Sequence, residues 1–195
     1  MTRSRAVVGL VLLMVAGLVG VVGGIVVGFQ LESHDSFCAS CHTQPETQFY
    51  RQSTDRSAPP VDLAASHAQE TKHVRCINCH GGVELGQHLR TFFRLAVYDT
   101  LKFYTGNYKQ PARTSVPIPN ATCAYCHAAA LTAAGFDNHF HNMLASQGAP
   151  PLACVDCHPG HVAADAEAKF VIRRVVFPEC NACHRAMGKG PSDLQ

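Results

Sequence analysis

Cys38-Ala39-Ser40-Cys41-His42 is the first of five copies of one pentapeptide pattern. Cys76-Ile77-Asn78-Cys79-His80, Cys123-Ala124-Tyr125-Cys126-His127, Cys154-Val155-Asp156-Cys157-His158 and Cys180-Asn181-Ala182-Cys183-His184 complete the set. Together they use all 10 cysteines, leaving none for a separate disulfide framework. A lone C-x-x-C suits a thioredoxin-like redox pair or half of a zinc site. Neither chemistry asks for histidine directly after the second cysteine, and here it stands there every time. C-x-x-C-H is the attachment signal of c-type haem. Two thiols one helical turn apart add across the vinyl groups of one porphyrin edge, and the adjacent histidine binds the iron. The sequence thus predicts five covalently bound haem c groups. Their attachment points are Cys38, Cys41, Cys76, Cys79, Cys123, Cys126, Cys154, Cys157, Cys180 and Cys183, and their proximal ligands His42, His80, His127, His158 and His184.

The motifs begin at residues 38, 76, 123, 154 and 180. That leaves roughly 30 to 45 residues per haem, too little chain to bury each in its own protein pocket. The expected domain is a thin polypeptide wrapping around five stacked haems, which replace an ordinary apolar core. Pro59-Pro60, Pro111, Pro117, Pro119 and Pro150-Pro151 interrupt the tail and limit regular structure. The best helical periodicity runs from Glu84 to Tyr104, with Gly106 beyond it as a C-cap. A second helix is expected over Ala163 to Val176. No strand pattern is evident, so the fold class is mostly α with much irregular chain.

Upstream of the motifs, Ala6 to Phe29 is 24 residues without a charge. As a helix it is about 36 Å long, enough to cross a bilayer core of about 30 Å. A cleaved signal peptide would have a shorter apolar region and a small-residue cleavage site, and neither is seen. Arg3 and Arg5 precede the segment while Glu32 and Asp35 follow it. The positive-inside rule then leaves the N-terminus in the cytoplasm and the motifs outside, in the periplasm or on the outer face. The expected division is an anchor over residues 1–30 and an extracytoplasmic pentahaem domain over 31–195. Ala16, Gly20, Gly24 and Gly28 recur every fourth residue, a small-residue face that suits a partner transmembrane helix as well as ordinary lipid. Lys and Arg total 16 against 14 Asp and Glu. That near balance gives no basis for nucleic-acid binding.

Seven histidines lie outside the motifs: His34, His67, His73, His88, His139, His141 and His161. Six-coordinate haems would recruit most of them as distal ligands. His67, His139 and His161 lead, His88 on the long helix follows, and His34, His73 and His141 compete for the remainder. His34, just outside the membrane, could instead accept a proton from a quinol. Met143 and Met187 are the other possible axial ligands, and the excess of His over Met favours low potentials.

The order of elements resembles the NapC/NirT family of membrane-anchored multihaem quinol dehydrogenases, including its NrfH-type members. One anchor runs into Phe37-Cys38-Ala39-Ser40-Cys41-His42, and a second motif follows about 35 residues later. A helix then ends in Tyr104-Thr105-Gly106, and two close motifs have His139 between them and His161 after them. The likeness spans about residues 6–165. It implies quinol oxidation near the membrane-proximal haem and electron delivery to an extracytoplasmic redox protein or reductase. Three features depart from the pattern. Gln44 stands where many members carry an iron-binding Met, Gly81-Gly82-Val83 occupies a stretch that often holds Lys, and the motif at Cys180 is a fifth. A single-anchored pentahaem subunit also occurs in alternative complex III, where it relays electrons for another, quinol-oxidising subunit. Pentahaem nitrite reductases are longer and replace one motif histidine by lysine.

Overall fold

In the N-terminal segment nothing but apolar and small side chains follows Arg5 for 24 residues, so a helix is the only way to satisfy its backbone in lipid. The computed structural model describes residues 2–41, 43–70, 74–114, 116–132, 153–167, 169–188 and 190–195. It forms α1 over Thr2–Glu32. Ser4–Glu32 is long and apolar enough to cross a membrane, with a mean hydropathy of 2.8, and none of its apolar window is buried against the rest of the chain.

Short helices follow: α2 (Asp35–Cys41), α3 (Glu46–Thr54), α4 (Leu63–Gln69) and α5 (Cys76–His80). Asp62 caps α4, its carboxylate accepting the Ala65 N–H at 2.7 Å. The expected long helix is present as α6 (Leu85–Thr91), one π turn (Phe92–Ala96) and α7 (Val97–Tyr104). Gly106, at φ +70, closes it as expected. The Asn107 N–H then bonds back to the Lys102 carbonyl at 2.9 Å.

Three more helices complete the described chain: α8 (Asn120–Thr132), α9 (Cys154–Cys157) and α10 (Arg173–Met187). The helix expected over Ala163 to Val176 is not formed; α10 begins ten residues later. Local geometry explains the shift. The Ala164 N–H bonds the Val61 carbonyl at 3.0 Å, and the Gly160 carbonyl accepts from Ala64, pinning the turn at 160–164 beside the start of α4. Asp165 then caps its own turn through the Glu167 N–H, and Lys169 and Phe170 take positive φ. No strand occurs among the described residues.

The described chain has almost no core. Its buried apolar side chains are Ala65, Phe92, Phe170, Val176 and Cys183, and no large side chain is fully buried. The accessible surface is 13861 Å², whereas a compact monomer of 21.0 kDa exposes about 9,000 Å². The bare α1 contributes part of the excess. A large open cavity contributes a further part.

Candidate functional site

The cysteine pair of every motif lies in a helix: α2, α5, α8, α9 and α10. The i, i+3 spacing brings the two thiols of each motif to one helix face. Nine of the ten cysteines line a single cavity of about 3330 Å³, several times the roughly 300–1,000 Å³ of an ordinary small-molecule site. Cys183 is the exception. It is buried on α10, its thiol donating to the Met187 sulfur at 3.6 Å. All ten thiols are free.

The motifs follow one another in space as they do in sequence. The thiols of Cys38 and Cys76 hydrogen-bond, as do those of Cys123 and Cys154. Cys79 senses the charge of Cys126, and Cys157 that of Cys180. Burial raises Cys79, Cys157 and Cys180, and takes Cys123 to about 11, so these groups are thiols at neutral pH. Cys38 is lowered, because Cys76 donates to it.

One fastening device occurs twice. Asp35, three residues before Cys38, accepts the Cys76 N–H at 3.0 Å. Asn120, three residues before Cys123, accepts the Cys154 N–H at 2.8 Å. In each second motif the third residue accepts the N–H just before the first cysteine. Asn78 takes that of Arg75 and Asp156 that of Ala153, both at 2.8 Å. The first and second motifs thus form one clamped unit, and the third and fourth form another. The sequence carries the signal, [Asp/Asn]-x-x-Cys-Ala-x-Cys-His followed by Cys-[Ile/Val]-[Asn/Asp]-Cys-His, although spacing alone did not reveal it.

Six histidines face the same cavity: His80, His127, His158 and His184 of the motifs, with His67 and His161 of the other seven. Two pairs form. The His80 and His161 ring centroids are 6.2 Å apart with planes 9° from parallel. Those of His67 and His127 are 5.8 Å apart at 82°. Two metal–nitrogen bonds of about 2.0–2.1 Å, with about 1.1 Å from each nitrogen to its ring centre, would separate trans imidazole centroids by about 6.3 Å. The His80–His161 separation is close to that value, and the His67–His127 separation falls about 0.5 Å short of it.

Backbone carbonyls orient these rings. The Leu63 carbonyl accepts from His67 Nδ1 at 2.8 Å, the Lys169 carbonyl from His158 Nδ1 at 3.1 Å, and the Pro191 carbonyl from His184 Nδ1. A carbonyl only accepts, so each Nδ1 carries a proton, and in the neutral ring that leaves Nε2 as the nitrogen with the lone pair. Burial depresses the imidazole pKa of both His80 and His161, holding them in the neutral form a metal requires. Phe49 stacks on His161, centroids 3.9 Å apart, a contact no sequence pattern announces.

The remaining candidates lie elsewhere. His34 is exposed at the end of α1, its Nδ1 donating to the Gln30 carbonyl at 2.9 Å. His88 pairs through Nε2 with the Glu32 carboxylate at 3.3 Å, and neither histidine lines the cavity. His42, His73, His139, His141 and Met143 lie outside the described residues. Among the described residues, no three His, Cys, Asp or Glu side chains converge as a metal site by themselves. Compared with known proteins, the chain matches no family model, no curated protein and no solved structure.

Proposed function

We propose that this chain is a membrane-anchored electron carrier that holds five covalent haem c groups outside the cytoplasmic membrane. It would draw electrons from quinol, or from a quinol-oxidising subunit, and deliver them to an extracytoplasmic redox protein. The observation that carries the reading is the cavity of about 3330 Å³. Nine motif cysteines wall it, and two imidazole pairs stand across it near metal-bridging separation.

The residues divide the work. Each cysteine pair would hold one haem through thioethers, and the following histidine would supply one iron ligand. His161 would join His80 in holding one iron, and His67 would join His127 in holding another. Leu63, Lys169 and Pro191 fix ring tautomers through their carbonyls. Bound haem iron supplies reversible one-electron chemistry, at low potential where both axial ligands are histidine. The clamps at Asp35 and Asn120 keep neighbouring motifs adjacent, which electron transfer between closely packed centres demands.

Kinship with the NapC/NirT family rests on the order of motifs, anchor and histidines in the sequence. The unburied α1 and the open faces of Gly20 and Gly24 favour a second reading, a relay subunit packed among other membrane subunits as in alternative complex III. One experiment separates the two. The purified holoprotein alone is mixed with a menaquinol analogue, and haem reduction is followed optically. Rapid reduction supports a quinol dehydrogenase. No reduction with all haems intact, together with large membrane subunits copurifying in mild detergent, assigns the relay role.

A further inference from the structure

The helical run from Leu85 to Tyr104 carries a second surface with no partner among the described residues. Leu85, Phe93, Val97, Leu101 and Tyr104 are 71%, 54%, 41%, 59% and 83% exposed. Apart from the eight-residue step from Leu85 to Phe93, they recur every third or fourth residue, and the half-buried Leu89 fills that step. A fourth-residue repeat drifts by about 40° per step on an α-helix of 3.6 residues per turn. The π turn at Phe92–Ala96, a wider turn, takes part of that drift back and keeps Phe93 in line with Val97. None of these five side chains lines the cavity, so filling the cavity leaves the stripe bare.

Contacts with α1 set the depth of this helix. His88 meets Glu32, while Phe92, four residues on, packs on Phe29 with centroids 4.8 Å apart. A Cβ on Gly28 would lie 2.5 Å from the Phe92 ring. The helix therefore descends from the level of Glu32 to that of Gly28 as it runs from 88 to 92, where the uncharged segment of α1 ends. Beyond that point it leaves α1, since nothing approaches Gly24 or Gly20. By Gln110 and Ala112 the chain is back at Thr43 and Gln44, beside the first motif. Such a path runs along the bilayer boundary, not through the bilayer. Exposed Arg90 and Arg94 flank the stripe, and Tyr98 and Tyr104 add rings of the kind that settle at headgroup level.

We infer that Leu85–Tyr104 is an interfacial helix, its apolar stripe seated in the outer lipid leaflet that α1 crosses and its arginines reaching the phosphates. It is a second anchor, and it holds the second motif at a fixed height above the bilayer. The inference rests on α1 being a membrane span, and the test separates the two.

The full-length holoprotein is prepared in phospholipid nanodiscs with p-benzoyl-phenylalanine at one position, irradiated, and searched for lipid adducts by mass spectrometry. Leu18 on α1 is the reference, Phe93 and Leu101 are the test positions, and Lys102 on the opposite face is the control. Lipid adducts at 18, 93 and 101 with none at 102 are expected. An adduct at 18 without adducts at 93 and 101 overturns the interfacial helix and leaves the anchor intact. No adduct at 18 overturns the anchor itself. Protein cross-links from 93 or 101 in native membranes would give the stripe to a partner subunit and contradict the inference. A Phe93→Glu/Leu101→Glu chain that keeps its haem content should lose lipid adducts placed at Val97. Retained adducts there would also contradict it.

Discussion

The foot of the molecule and its motif-bearing body are built on opposite principles. At the foot, Gly28, Phe29, His88 and Phe92 fill their own space. Phe29 meets the His88 ring edge-on at 4.9 Å and Phe92 at 4.8 Å, and Phe92 is one of the few buried apolar side chains. In the body, α2, α5, α8, α9 and α10 line a cavity that the described side chains do not fill. A chain pays conformational entropy wherever it is ordered, and burial must offset it. The foot offsets it with its own side chains. The body buries only Ala65, Phe170, Val176 and Cys183 among its described apolar side chains, and on our reading the covalent haems supply the missing apolar surface.

Four substitutions or treatments test this contrast, in falling order of effect. Producing the chain without haem attachment removes the filling, whereas Cys76→Ser/Cys79→Ser would remove one haem of the five and serves as the partial case. Limited proteolysis of the haem-free chain should digest the body at every linker, while α1 stays in the membrane fraction. A body that remained protease-resistant without haem would erase the difference between the regions. Next, His161→Gly should leave five haems attached and open one iron. One carbon monoxide per chain should bind, and added imidazole should reverse it. The same change at His34 should open none.

Smaller effects belong to the foot and the clamps. Gly28→Leu drives a side chain into the Phe92 ring and should destabilise the foot by about 1–3 kcal/mol, the usual range for overpacking. Faster hydrogen exchange over residues 88–93 would register it, with haem spectra unchanged. Asn120→Ala removes one acceptor from the clamp between the third and fourth motifs and should cost about 0.5–1.5 kcal/mol in chemical denaturation. Asp35→Ala should match it if the two clamps are equivalent. Unequal losses would show that the resemblance between the two units is one of sequence only.

Much of this was legible in the residues. The charge-free run from Ala6 to Phe29 has one physical solution, and α1 takes it. The helix ending at Tyr104 was set by apolar period and by Gly106. Its π turn was not, because nothing in Phe92-Phe93-Arg94 distinguishes a wide turn from an α turn. The helix expected at Ala163 failed because local propensity there loses to backbone bonds from residues 61 and 64, a hundred positions away. For the site, the motif histidines were readable from adjacency alone. Of His67, His139 and His161, the favoured distal ligands, His67 and His161 face the cavity and His139 lies outside the described residues. Phe49, stacked on His161, is a tertiary contact that period and motif cannot carry.

The most direct test of the central claim is a haem count on the mature chain. Intact-mass measurement, paired with the pyridine haemochrome spectrum, gives the number of covalent haems per polypeptide. The account predicts five, with every cysteine consumed in thioethers and none reactive to thiol reagents. A chain of unmodified mass with ten titratable thiols, or one joined by Cys38–Cys76 and Cys123–Cys154 disulfides, would contradict it.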